Sequence, residues 1–179
     1  MKTINVPTRE QVSPASQLLF DQIKGRLGKV PNLYATVGYS PKALGAFLNF
    51  DLVLNQGVLT EKEKEAIALT VSESNECNYC LAAHTLTSSM KGISKEETLS
   101  FRRGEVGDAK LNALVKLAKS IVVNSGRAEP ELLTEFFNAG FDETALMELI
   151  GLVTARIFTN YVYAITDVPI DFPVAEALV

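Results

Sequence analysis

Apolar residues recur every three or four positions along almost the whole chain, and no segment alternates apolar and polar residues at the period of a strand. That pattern confines the chain to helices packed on helices. The expectation is an all-α fold, a compact helical domain of about seven to eight helices. A chain of 179 residues can bury a full core without disulfide or metal staples, so residues 1–179 read as one domain with an extended C-terminal tail from Asp167 onward.

Capping residues place the helices. One is expected from Pro14 to Gly28, burying Leu18, Leu19, Ile23 and Leu27, and closed by Gly28 and Pro31. Ser40 reads as an N-cap with Pro41 in the first turn, opening a helix that buries Leu44, Phe47, Leu48 and Leu52. Thr60 caps the next, with Glu61, Glu63 and Glu65 near its positive end. The polar run Ser72 to Glu76 ends that helix, and a new one starting near Asn75 or Glu76 would hold Cys77 in its first turn. Ser94 and Glu97 form a capping box, and three further helices are expected over 108–125, 129–139 and 142–164. The last carries apolar residues all round, which suggests burial on several sides and a share in a subunit interface. The tail, with Pro169 and Pro173, is extended yet apolar and so should lie against protein, on its own subunit or a neighbour.

Composition removes several functions. Hydrophobic residues make up 47% and charged residues 21%, which argues against disorder. The net charge is −4 and Arg102-Arg103 is the only adjacent basic pair, so a phosphate-backbone binder is disfavoured and no nucleic-acid partner is expected. The first ten residues lack an apolar signal core, and no uninterrupted apolar run reaches the ~18 residues of a membrane span. A cytoplasmic, membrane-free protein is the resulting expectation.

Both cysteines and the single histidine fall within eight residues, Cys77-Asn-Tyr-Cys80-Leu-Ala-Ala-His84, and Glu65 lies twelve positions before Cys77. On a helix the three share a stripe roughly 60° wide. Thiols react as thiolates, and a neighbouring imidazole or a helix N-terminus lowers a pKa that starts near ~8.5. Three other readings compete with a reactive site. Two small thiols and a satisfied histidine can simply pack in a core. A zinc site would need donors spread over seven helical positions, roughly 10 Å along the axis, to converge on one ion. A thioredoxin-type pair needs a preceding strand, and none is expected here.

The combined pattern Glu65-x11-Cys77-x-x-Cys80-x3-His84 resembles the alkylhydroperoxidase D-like branch of the carboxymuconolactone decarboxylase superfamily. Pro31-Asn32, the Ser40-Pro41 helix, Asn160-Tyr161 and the tail Asp167-Val-Pro-Ile-Asp-Phe-Pro resemble its peroxidase-related subgroup, and the likeness is densest from Leu59 to Gly92. One departure is Tyr79, which stands where better-studied members carry a histidine, so that imidazole does not carry over.

The resemblance implies a thiol-dependent peroxidase that reduces organic hydroperoxides or hydrogen peroxide through a Cys77/Cys80 dithiol-disulfide cycle. It makes Cys80 the peroxidatic thiol, Cys77 the resolving one, His84 the proton carrier and Glu65 its partner. It implies no metal and no cofactor, a dithiol or lipoyl protein as reductant, and a homo-oligomer, trimeric or hexameric. A decarboxylase of a lactone acid and a redox-sensing helical oligomer are the alternatives. Tyr34, Phe47, Phe50 and Tyr79 are candidates for an apolar substrate pocket, against the ordinary reading of aromatics as core. Arg156, set in an apolar helix, is expected to pair with a buried acid such as Glu148 or Glu65.

Overall fold

The computed structural model describes residues 4–178; Met1, Lys2 and Thr3, on which part of the signal-segment reading rests, and Val179, the last residue of the expected tail, lie outside the described residues. A 3-10 turn at Arg9–Gln11 leads into nine α-helices, and no strand occurs among the described residues. They are α1 (Pro14–Leu27), α2 (Asn32–Val37), α3 (Pro41–Leu54), α4 (Glu61–Ser74), α5 (Asn78–Met90), α6 (Lys95–Arg103), α7 (Ala109–Val123), α8 (Pro130–Asn138) and α9 (Glu143–Thr166).

The caps fall where the side chains dictate. Ser13, Ser40, Asp108 and Asp142 each accept a backbone N–H three residues on, and Thr60 with Glu63 and Ser94 with Glu97 close full capping boxes. α2 is the helix that periodicity did not announce, because six residues are too few to show a repeat. The buried face of α1 also differs from expectation. Phe20 and Ile23 face inward while Leu18 and Leu27 are exposed. Phe20 wins because its ring lies flat against Gly38, where a Cβ would come within 2.3 Å of it. Leu52 of α3 is likewise exposed, whereas Leu44 and Phe47 are buried.

α4 is the axis of the molecule. Every residue from Lys64 to Ser72 is buried, and α5, α6, α7 and α9 pack around it. The main core joins Ile67, Leu69 and Val71 of α4 to Phe101, Leu114, Phe136, Leu149 and Val153. A fully buried side chain of this size contributes about 1.5–3 kcal/mol by leaving water. A second apolar cluster holds Phe20, Ile23, Leu33 and Leu44 from α1 to α3 together with Cys77, Tyr79 and Cys80 and Val168 of the tail. The cysteines therefore sit where the N-terminal helices, α5 and the tail meet.

α9, with 24 residues, has the length and composition to cross a membrane. That qualifies the expectation drawn from uninterrupted runs. In this fold α9 contacts α2, α3, α4, α5 and α7, and it buries Arg156, Thr159 and Asn160 among its apolar residues. The tail lies on its own chain. Asn32 Nδ2 donates to Pro169 O at 3.0 Å, Lys29 pairs with Asp171 at 2.8 Å, and Lys95 and Arg102 hold Glu176.

Candidate functional site

The link between α4 and α5 brings the thiols to a helix start. Asn75 ends α4, Glu76 takes a φ of 53°, Glu76 N donates to Glu73 O and Cys77 N donates to Ser72 O at 2.8 Å. These two bonds form a Schellman closure, with Glu76 in the left-handed position that glycine usually fills. Cys77 is consequently the N-cap of α5 and not a residue of its first turn: the helix begins at Asn78, two or three positions later than the sequence reading placed it. Its Sγ accepts the Cys80 N–H at 3.3 Å, so the unpaired donors of the helix end face the sulfur.

Cys77 and Cys80 are joined in a disulfide with Cα atoms 5.3 Å apart, and both are almost completely buried. The ring closed by this bond is the smallest that a C-x-x-C spacing allows. Cys80 Sγ lies 3.9 Å from Thr159 Oγ1 on α9, and that hydroxyl donates to the Arg156 carbonyl at 2.9 Å.

His84 and Glu65 come together, as the resemblance implied. His84 Nδ1 is 2.9 Å from Glu65 Oε2, and the second carboxylate oxygen accepts from Lys91 at 2.7 Å. Burial pushes the Glu65 carboxyl up, yet His84 and Lys91 outweigh it and hold Glu65 below the ordinary carboxylate range. Lys91 also pairs with Glu61 at 2.7 Å, and hydrogen bonds from Lys91 and Lys64 bring Glu61 down to about 2. A line of alternating charge, Glu65, Lys91 and Glu61, thus runs from the half-buried imidazole to the surface.

The other imidazole nitrogen, Nε2, lies 3.1 Å from Nη1 of Arg156. Arg156 meets Asp51 of α3 on its far side. The expected partners Glu148 and Glu65 are therefore replaced by Asp51 and His84. Glu148 instead accepts the Val58 N–H at 2.7 Å. Burial lowers Arg156 from its usual value, with the Tyr34 phenol acting in the opposite direction.

A small cavity of about 60 Å³ opens on this group, lined by Cys80, His84, Arg156 and Thr159 and walled by Tyr34, Tyr79 and Phe172. Cys77 does not line it. Of the four aromatic candidates, Tyr34 and Tyr79 reach the cavity; Phe47 stacks behind Tyr34 and on Phe158, and Phe50 is exposed. Tyr79 is turned toward the tail. Its hydroxyl donates to Asp171 at 2.6 Å and accepts the Leu33 N–H at 3.1 Å, and burial together with Asp171 raises its pKa well above the normal phenol range.

Among the described residues, no three Cys, His, Asp or Glu side chains gather closely enough to hold a metal ion. Asp51, Lys91, Thr159 and Asp171 belong to the site's surroundings and were not singled out for it by the sequence. The readable signal for one of them was the charge of Arg156 set among apolar residues of α9, which calls for an acid nearby.

The fold and the buried C-x-x-C pair define an all-helical dithiol protein. Residues 41–120 match the carboxymuconolactone decarboxylase family. Solved structures share the whole fold. An uncharacterised peroxidase-related protein from Silicibacter sp. TM1040 aligns over 93% of this chain and 91% of its own, with 24% identity and a TM-score of 0.77. The alkylhydroperoxidase AhpD core of a peroxidase-related protein from Ralstonia eutropha JMP134 aligns over 92% and 91%, with 18% identity and a TM-score of 0.79. The apo form of the debrominase Bmp8 aligns over 96% and 93%, with 18% identity and a TM-score of 0.81. No curated protein sequence matches the chain significantly. The chain therefore shares the fold of these alkylhydroperoxidase-like structures, and its residues 41–120 match the carboxymuconolactone decarboxylase family.

Proposed function

We propose that the protein is a thiol-dependent hydroperoxidase in which Cys80 attacks the peroxide and Cys77 resolves the product. The observation that carries this reading is that Cys80, and not Cys77, lines the cavity that also exposes His84 and Arg156. A small oxidant entering there meets the Cys80 sulfur first. Cys77, bonded to Cys80 from the helix N-cap, is placed to take the second step.

In the first step the Cys80 thiolate attacks one peroxide oxygen, the O–O bond breaks, and the leaving alkoxide or hydroxide takes a proton, leaving a sulfenic acid. The Cys77 thiol then attacks that sulfur, expels water and forms the disulfide. Two electrons and two protons from an external dithiol restore the pair. His84, held by Glu65, is the group that can move a proton within the cavity. The reductant proposed is a protein dithiol or a lipoyl group, and the oxidant is an organic hydroperoxide or hydrogen peroxide.

The test is a count of free thiols on the reduced protein before and after one equivalent of cumene hydroperoxide. Loss of two thiols per peroxide, repeated turnover with added dithiol, and no consumption by Cys80→Ser are expected. One stoichiometric oxidation without turnover would point to a sensor. Two unreacted thiols would overturn the peroxidase reading. Bromide release from 2,3,4-tribromopyrrole, the molecule seen with a Bmp8 variant, or decarboxylation of a lactone acid would then name the replacement.

A further inference from the structure

The two ring nitrogens of His84 face partners of opposite kind. Glu65, held below the ordinary carboxylate range, presents an oxygen that can only accept, so the proton at the 2.9 Å contact is on Nδ1. The Arg156 guanidinium has no acceptor atom, so at 3.1 Å it must donate to Nε2, which therefore carries a lone pair and no proton. A second proton on the ring would set two donors against each other. This closes both nitrogens, and neither bond goes to a cysteine.

The remaining groups around the ring do not relieve the conflict. Lys91, later on α5, is spent on Glu65 and Glu61, and Tyr34 of α2 contributes a neutral phenol whose pKa burial raises. Cys80 lies one turn earlier on α5, bonded to Cys77. Asp51 of α3 braces the guanidinium from behind. Arg156 thus reaches both ends of the cavity: its side chain engages His84, and its carbonyl holds the Thr159 hydroxyl beside Cys80.

We propose that Arg156 is a positioning residue of the thiol site: it occupies Nε2 of His84, keeps the ring neutral with its proton on Nδ1, and is itself the fixed positive charge facing Cys80 in the shared cavity. In this arrangement the charge that stabilises a thiolate at Cys80 belongs to the guanidinium and not to an imidazolium. His84 is left free to serve as a base only when Arg156 turns away from it toward Asp51, with which it is already paired. The consequence for peroxide chemistry rests on the peroxidatic assignment above; the state of the imidazole does not.

His84 is the only histidine in the chain, so its ring nitrogens are read without ambiguity in a long-range 1H–15N spectrum of the labelled, oxidised protein. At pH 7 the expected spectrum shows a proton on Nδ1 and a lone pair on Nε2. A proton on Nε2, or on both nitrogens, would overturn the proposal with no variant needed. Arg156→Lys should preserve the pattern, and Arg156→Met should give mixed tautomers. In a Cys77→Ser background, alkylation of reduced Cys80 by iodoacetamide at pH 7 should slow about tenfold in folded Arg156→Met, as expected when a nearby cation is lost, and largely recover in Arg156→Lys. Equal rates in all three would also overturn it. If these results hold while no hydroperoxide is consumed, the peroxidase reading falls and the role of Arg156 stands.

Discussion

Tyr79, one of the two residues between the cysteines, donates a 2.6 Å hydrogen bond to Asp171, 92 positions further along the chain. This side chain fastens the tail beside the disulfide. Asp171 is also held by Lys29 and by the Asn32 N–H, and Phe172 next to it meets the Tyr79 ring edge-on at 5.5 Å.

Tyr79→Phe should remove this latch while keeping the ring against Tyr163 and Phe172. The buried Leu33 N–H loses its acceptor, and the expected cost is about 1–3 kcal/mol, read from a urea midpoint. Reduction of the disulfide by dithiothreitol should quicken several-fold as the tail loosens. Asp171→Ala should change the rate in the same direction, because it removes the acceptor of the same bond. An unchanged reduction rate in both variants would show that the tail is no barrier to a dithiol.

Glu65→Gln should destabilise the protein at neutral pH and matter less in acid. The carboxylate is buried, and His84 and Lys91 hold its folded-state pKa below the unfolded value of about 4.3. Its contribution is therefore present above the unfolded pKa and disappears as pH falls through the lower folded value. At pH 7 the variant leaves Lys91 with only Glu61, at an expected cost of about 2–4 kcal/mol. Urea titrations at pH 7 and pH 3 should show the gap between parent and variant closing. A gap that widens in acid would contradict the assigned direction.

The sequence announced what is local. Ser40, Thr60, Ser94 and Asp142 are caps both by residue type and in the structure, because a cap involves only three or four consecutive residues. Glu65 and His84 could be named together only through the motif that the resemblance supplies; by position alone Glu65 reads as a charge near the start of its own helix. Asp51 and Arg156 could not be paired, since they lie on α3 and α9 and no periodicity links them. The same holds for Tyr79 with Asp171. The inward turn of Phe20 depended on the bare surface of Gly38, a tertiary fact that a hydrophobic stripe does not contain.

The outer face of α9 carries Met147, Ile150, Phe158, Tyr161 and Ile165 exposed in one stripe at three- and four-residue spacing. An apolar stripe of that length marks an interaction surface. Light scattering should return a multiple of the 19.5 kDa chain mass, in line with the homo-oligomer that the resemblance implies. Tyr161→Glu with Ile165→Glu should reduce it to one chain without changing the helical spectrum. A parent protein that already runs as one chain would remove the support for self-association through this face.

Glu76 is the position where a change should improve the fold. Its φ of 53° lies in the left-handed region, which costs an L residue with a Cβ about 1 kcal/mol and costs glycine little. Its backbone makes the Schellman bond to Glu73, which any residue can supply. Glu76→Gly gains the relief of that strain and loses part of it again through the greater freedom of glycine in the unfolded chain, so a net gain of about 0.5 kcal/mol is expected. Because Cys77 N still donates to Ser72 O, the N-cap sulfur keeps its place and the two-thiol count should not change. Thermal unfolding together with thiol titration checks both statements. A lower melting temperature would mean that the Glu76 side chain contributes a contact outweighing its backbone strain.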